Sequence, residues 1–153
     1  VFNKSEKDTI LQASEIKKLE GPMGFEMVPY NVKQIGDTVQ ITNVDALFLT
    51  TACAGMVCVN DIVGIARSKK LPTASAIGGG ENKGILLTMT ADPDEQGTEA
   101  AKMAAKVLKG SKPSDIPILS PRRIETVINL KEAEILGVQV PSDLLGSATK
   151  IIK

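Results

Sequence analysis

The 153-residue chain contains no histidine and no tryptophan, and aromatic residues make up only 3% of it. Without histidine, it lacks the side chain that most often binds metals and transfers protons near neutral pH. Its two cysteines, Cys53 and Cys58, lie five positions apart in a predicted helix, where they point about 140° away from each other. We therefore expect both thiols to be buried, unpaired and free of metal, and we expect no cofactor.

The chain also has no excess of charge, because 18 basic residues balance 18 acidic ones. A neutral chain without a basic block offers no electrostatic surface for a phosphate backbone, so the sequence predicts no nucleic-acid partner. No apolar run approaches the roughly 18 residues that a membrane-spanning helix needs. No leader precedes Val1, which already has the pattern of a strand residue, and we interpret the N-terminus as a cut through a longer protein.

Short apolar runs alternate with longer segments of helical periodicity along the whole chain. The runs predict strands near 25–30, 46–50, 71–75 and 85–90, and a further strand at Ile124–Ile128. Strands that alternate with helices of this length indicate βαβ units around a parallel sheet. The sequence therefore predicts one α/β domain over residues 1–153, with a parallel sheet flanked by helices.

Helix boundaries are marked by residues of the usual kinds. Ser5 is predicted to cap a helix that begins at Glu6, and Asp92 or Asp94 to open another. Asn129 and Glu132 have the spacing of a capping box for a helix over 131–136. Gly137 then supplies a left-handed end to that helix.

Catalytic motifs are missing. The glycine-rich loop over Gly78–Gly84 does not match a phosphate-binding motif, because no Ser or Thr follows Lys83, and we interpret it as a flexible connection at the rim of a cleft. Polar side chains instead follow the predicted strands: Asn3, Ser5, Thr50, Thr51 and Ser75. Each of them alone is explained by capping. Together they fall on the strand ends where parallel α/β sheets bind small ligands, which favours a binding site without chemistry.

Several segments resemble the ABC-transporter substrate-binding proteins of the TrpX type, which have the type I periplasmic-binding fold. The matching segments follow the family's order over nearly the whole chain: VFNKSE (1–6), DALFLTT (45–51), LPTAS (71–75), GILLT (84–88), AAKVLKG (104–110), PSDIP (113–117), VINLK (127–131) and LGVQVP (136–141). The opening segment resembles the point in the family's chain where the second of two lobes begins.

The resemblance implies an extracytoplasmic receptor whose two lobes close on a small solute and present it to an ABC permease. It implies that Asn3, Ser5, Thr50, Thr51 and Ser75 are the second lobe's share of the ligand cleft. Asp92 resembles the family's acidic residue after the returning strand. Family members are associated with aromatic amino acids and similar small solutes.

Two positions depart from the family. Ala52 and Ala76 stand where the family usually has acidic residues, so the carboxylates that would pair with a ligand ammonium are missing there. The sequence leaves open a less polar ligand, or none. It also leaves open a ligand-sensing module of a signalling protein with the same fold and, as the least favoured reading, a flavodoxin-like enzyme.

The resemblance further implies that residues 85–110 belong to the first lobe, whose remainder is absent from this sequence. The apolar side chains of residues 85–109 would then lose their cover, which a folded protein does not sustain. We expect this segment to fold back onto the sheet or to pack against the same segment of a second copy. A homodimer is the favoured alternative.

Overall fold

The computed structural model describes residues 1–34, 37, 41–51 and 57–153. Five strands form one sheet in the order β1-β2-β3-β4-β5, and six α-helices are described. The strands are β1 (Leu47–Leu49), β2 (Thr73–Ser75), β3 (Leu87–Ala91), β4 (Ile124–Asn129) and β5 (Lys150–Ile152). The helices are α1 (Lys7–Lys18), α2 (Glu20–Met23), α3 (Val57–Lys69), α4 (Pro93–Leu108), α5 (Leu130–Leu136) and α6 (Ser142–Ser147).

The sheet is mainly parallel. β1, β2 and β3 run parallel to one another, β3 pairs antiparallel with β4, and β4 pairs parallel with β5. The N-terminal residues extend the sheet beyond β1, since the Thr50 amide donates to the Val1 carbonyl at 3.1 Å. Phe2 then forms a parallel bridge with Asn31. The predicted α/β class with a mostly parallel sheet is confirmed.

The main core lies between the sheet and α3. Leu47 and Leu49 point toward α3 and are buried, whereas Phe48 between them points to the opposite face and is exposed. From α3, Val59 and Ile62 are completely buried against this face. An aliphatic core of this kind accounts for the low aromatic content, because the close packing is made by Val, Ile and Leu.

The predicted strand at 25–30 is wrong. This segment is a connection that meets the N-terminal residues only at its end, where the Phe2 amide donates to the Tyr30 carbonyl at 3.0 Å. Phe25 and Val28 are exposed, and their side chains line a groove. Pro29 lacks the amide hydrogen that a strand residue donates, which explains why the apolar run did not become a paired strand.

The prediction that Ser5 caps α1 is also wrong. The helix begins at Lys7 with Glu6 as its N-cap residue, and no side chain caps it. Instead of capping, Ser5 donates its amide to Asn3 Oδ1 at 2.9 Å. The predicted helix start at Asp92 is confirmed, since Asp92 Oδ1 accepts from the Glu95 amide at 2.9 Å.

One half of the predicted capping box of α5 is present. Asn129 Oδ1 accepts from the Glu132 amide at 3.0 Å, and Gly137 ends the helix with φ of 72°. The Glu132 carboxylate does not return to Asn129, because it turns to α3 and pairs with Arg67. Arg67 Nε and Nη2 donate to its two oxygens at 3.0 and 2.7 Å.

This ion pair joins α3 to α5 across Gly84. The Glu132 side chain is only 2% exposed, whereas that of Arg67 is 46% exposed. Hydrogen bonding from Arg67 to the carboxylate raises the pKa of Arg67 above its ordinary value. Gly84 lies beneath the pair with φ of +102°, and a Cβ built there would lie 2.9 Å from Arg67 Nη2 and 2.9 Å from Val63 Cγ1.

We predict that Gly84→Ala lowers the free energy of unfolding by about 2–3 kcal/mol, because alanine is strained at this φ and its methyl group displaces Arg67 or Val63. Gly97→Ala is the matched control, since Gly97 lies inside α4 with nothing within 4 Å of its added Cβ. The control should gain up to about 1 kcal/mol from helix propensity. Urea denaturation measures both, and equal stability of the two variants would contradict the prediction.

We also predict that Arg67→Met lowers the free energy of unfolding by about 3 kcal/mol, because it leaves the buried Glu132 carboxylate without its partner. Adding Glu132→Leu should recover part of this loss, whereas Lys131→Met, on the exposed side of α5, should have little effect. Since the folded-state pKa of Arg67 is raised, the arginine's contribution is complete at neutral pH and is lost as strongly alkaline pH deprotonates it. Equal urea midpoints for Arg67→Met and Lys131→Met would refute this account.

Candidate functional site

The carboxyl ends of the parallel strands meet at one edge of the sheet. The N-terminal segment that contains Asn3 lies between residue 31 and β1. At the ends of β1 and β2, the Ala76 amide donates to the Leu49 carbonyl. Ser75 is level with Thr88 of β3. This edge therefore carries, side by side, the predicted residues Asn3, Ser5, Thr50, Thr51 and Ser75.

Asn3 organises the turn that leads into α1. It is buried, its Nδ2 donates to Glu6 Oε1 at 2.9 Å, and its Oδ1 accepts from the Ser5 amide. Thr9, which is also buried, donates its hydroxyl to the Asn3 carbonyl at 2.8 Å. Asn3 thus fixes the backbone at the edge, while Ser5 is exposed on the same turn.

The two threonines after β1 have different surroundings. Thr50 is buried and donates its hydroxyl to the Val1 carbonyl at 3.1 Å. Thr51 is exposed and lies against α1: its hydroxyl donates to Asp8 Oδ2 at 2.7 Å and accepts from Gln12 Nε2 at 2.7 Å. The Thr51 amide also donates to Gln12 Oε1 at 3.1 Å. Thr51 is therefore held by two side chains of α1.

Ser75 closes β2 with a tight turn, in which the Ile77 amide donates to its hydroxyl oxygen at 2.9 Å. The loop that follows crosses the end of β3, since a Cβ at Gly78 would lie 3.5 Å from Thr90 Cγ2. Thr90 is half-buried and adds a further hydroxyl to this part of the edge.

The glycine-rich loop does not remain at the rim of the edge as the sequence predicted. It contains a 3-10 turn at Gly80–Lys83 and passes behind the sheet to Gly84, under Arg67. Glu81 is buried there, and its carbonyl accepts from Asn129 Nδ2 at 2.9 Å. Gly80, Glu81 and Gly84 are buried, whereas Gly78 and Asn82 are exposed, so the loop is packed against the core only in part.

Asp92 lies beyond the edge, on an extension of the sheet. β2 pairs with β3 only at Leu87 and Thr88, whereas β4 pairs with β3 along Leu87–Ala91. The last residues of β3 therefore leave the sheet as a two-stranded ribbon, which brings Asp92 about 13 Å past the level of Ser75. The Asp92 carboxylate pairs with Arg123 at 2.8 Å as well as capping α4.

α4 projects from this ribbon with little cover. None of its residues is buried, and Leu108 is 88% exposed. The helix lies next to residues 119–122, and together they line a shallow groove. The segment 85–109 therefore divides into two parts. Its strand lies in the sheet, with Leu86 buried, whereas the helix α4 has no buried residue within a single chain.

An apolar groove of about 510 Å³ runs along the sheet face opposite α3 and reaches Thr50 of the polar edge. It lies between α1 and residues 138–144, and Phe48, Ala74, Leu87 and Ile128 of the sheet line it. Its lining is mostly aliphatic and aromatic, in contrast to the polar edge. It provides few groups that can orient a polar solute.

The remaining expectations concern thiols, metals and membranes. Cys58 is buried and free, whereas Cys53 lies outside the described residues, as does Ala52. In the described part of the chain no group of three or more Cys, Asp or Glu side chains is placed to hold a metal ion. Over the same residues no helix is both long enough and apolar enough to cross a membrane.

The structure adds three residues that the sequence interpretation missed at the edge: Asp8, Gln12 and Thr90. Asp8 has a sufficient local explanation, because it lies in the first turn of α1, where a carboxylate interacts favourably with the helix dipole. A signal was present, since Asp8 and Gln12 are four positions apart and face the same way on a helix that follows a strand end.

A mainly parallel α/β sheet with polar side chains at its carboxyl edge is the architecture of a domain that binds small ligands. The chain matches the family described as ABC transporter substrate binding protein over residues 1–152. It belongs to that family, which is one of binding proteins.

The chain is similar to three known proteins. A tyrosine-binding protein of Clostridioides difficile is 22% identical over 91% of this chain and 42% of its own length. The ABC domain in complex with L-Trp from Streptococcus pneumonia is 26% identical, with a TM-score of 0.87 over 99% of this chain and 54% of its own. A conserved domain protein from Vibrio cholerae is 20% identical, with a TM-score of 0.88 over 98% and 52%. The chain thus spans about half the length of these relatives.

Proposed function

We propose that the chain is the second half of a two-lobed solute receptor of an ABC importer, and that it binds a small, amino-acid-like solute in the cleft between the lobes. The observation that carries this proposal is the polar edge of the sheet beside a ribbon that leaves the sheet at the same edge. Asn3, Ser5, Thr50, Thr51 and Ser75 are its ligand-binding residues, and Asp92 contributes from the ribbon.

The ribbon supports a second lobe. Met89–Ala91 extend past β2 and carry α4 away from the sheet, where none of its residues is buried. The residues where these two strands leave the sheet are candidates for a hinge, because hinges lie at a few residues at the ends of elements. Residues 89–110 are accordingly assigned to the first lobe, whereas residues 85–88 stay in the sheet and core of this lobe. Relatives about twice as long have room for the rest of the first lobe.

The chemistry at the edge supports binding without catalysis. Hydroxyl and amide groups orient a polar solute, and histidine, the side chain most often used as a general base, is absent from the sequence. Proteins named for tyrosine binding and solved with L-Trp are similar to this chain, which favours an amino-acid-like solute. A receptor of this kind works outside the cytoplasm, as a periplasmic protein or a lipoprotein, and delivers its solute to an ABC permease.

A ligand screen tests the function. We expect the whole natural polypeptide containing this chain to gain thermal stability with at least one amino acid or similar solute, because binding to the folded state raises its melting temperature. Thr51→Val with Ser75→Ala should reduce the shift at a fixed ligand concentration, whereas Ser114→Ala, on an exposed turn far along the chain, should not. A full screen of amino acids and small solutes without any shift would count against the proposal.

Self-association tests the lobe assignment. We expect the 153-residue chain alone to dimerise through residues 85–109, because the apolar side chains of α4 have no cover of their own. Leu108→Glu should weaken the dimer, while Leu11→Glu, an exposed leucine of α1, should leave it intact. Light scattering over a concentration series measures both variants. A monomer at about 100 μM would contradict the prediction.

A further inference from the structure

Asp8 places a carboxylate beside the predicted ligand residues. Its Oδ2 accepts from the Thr51 hydroxyl at 2.7 Å, and Thr51 follows the end of β1 directly. The resemblance leads one to expect acidic residues at positions 52 and 76, which are alanines in this chain. A negative charge is nevertheless present at the edge, and it comes from α1.

Two other carboxylates near this edge are already engaged. Asp92 forms an ion pair with Arg123 at 2.8 Å and caps α4, so its charge is balanced. Glu6 is half-buried and accepts from Asn3 Nδ2 at 2.9 Å. Asp8 differs from both, because it is exposed and, within the described ranges, no lysine or arginine pairs with it.

The hydrogen bonds also distinguish the two carboxylate oxygens of Asp8. The Thr51 hydroxyl hydrogen is used by Asp8 Oδ2, and the Thr51 oxygen is used by Gln12 Nε2 at 2.7 Å. The second oxygen of Asp8, Oδ1, accepts no hydrogen bond from the described residues. Asp8 is therefore held by one oxygen, and its other oxygen has no donor among the residues that the structure describes.

We propose that Asp8 binds the protonated amine of the solute, so that the site takes zwitterions or cations and rejects simple anions. This inference rests on the proposed function. When a cleft closes and excludes water, a carboxylate without a cation becomes costly, and a ligand that brings an ammonium group removes that cost. A carboxylate-only ligand meets repulsion from Asp8 at the same place.

Calorimetric titration of the whole natural polypeptide with matched ligand pairs tests this role. L-tryptophan is compared with indole-3-propionate, and L-tyrosine with 3-(4-hydroxyphenyl)propionate, which lack only the amine. We expect the amine-bearing member to bind at least about 30-fold more tightly, and Asp8→Asn to remove most of this preference by weakening only that member. Asp143→Asn is the control, because Asp143 is exposed in the first turn of α6 as Asp8 is in that of α1.

The outcomes separate the two proposals. If Asp8→Asn keeps the preference for the amine, or weakens both members of a pair equally, Asp8 only positions Thr51 and the inference is overturned. It is overturned as well if the wild-type protein binds the deaminated acids as tightly as the amino acids. If the wild-type protein binds no solute in the wider screen, the proposed function itself fails, and the role of Asp8 falls with it.

Discussion

The buried carboxylate of Glu132 is the constraint on which the arrangement around β3 depends. A charge that is 2% exposed needs a partner with matching geometry, and Arg67 supplies one through two hydrogen bonds from α3. The pair leaves so little space beneath it that only glycine fits at position 84, with φ of +102°. Since β3 begins three residues after Gly84, the same contact sets where β3 enters the sheet and where the ribbon leaves it.

This dependence explains which parts of the fold were predictable from sequence. Local signals sufficed where one residue type has one physical use, as for Asp92 at the start of α4 and Gly137 at the end of α5. Local signals failed where a residue that is distant in sequence makes the contact instead of a near neighbour. Glu132 has the spacing of a capping box, but its carboxylate is used by Arg67, 65 positions away. The apolar run at 25–30 resembles a strand, yet its side chains line a groove that no local pattern reveals.

The candidate site follows the same rule. The sequence placed polar residues after three strands, and parallel pairing brings these strand ends together. It could not show which polar groups remain available there. Asn3 and Thr50 are buried and serve the backbone, whereas Thr51 and Ser5 are exposed. Asp8 had an adequate local explanation as a helix-dipole residue, so its contact with Thr51, 43 positions away, became evident only in three dimensions.

The division of the edge into buried and exposed polar groups also bears on how a receptor of this kind would close. Asn3 and Thr50 hold the backbone rigid, so the edge does not have to rearrange when a solute arrives. In the proposed cleft, the exposed groups Thr51 and Asp8 would be solvated in the open state and would lose water on closure. The ion pair between Asp92 and Arg123 lies on the ribbon that would bend. Because this ion pair balances the charge of Asp92, the proposed role of Asp8 is to be the charge that a solute satisfies.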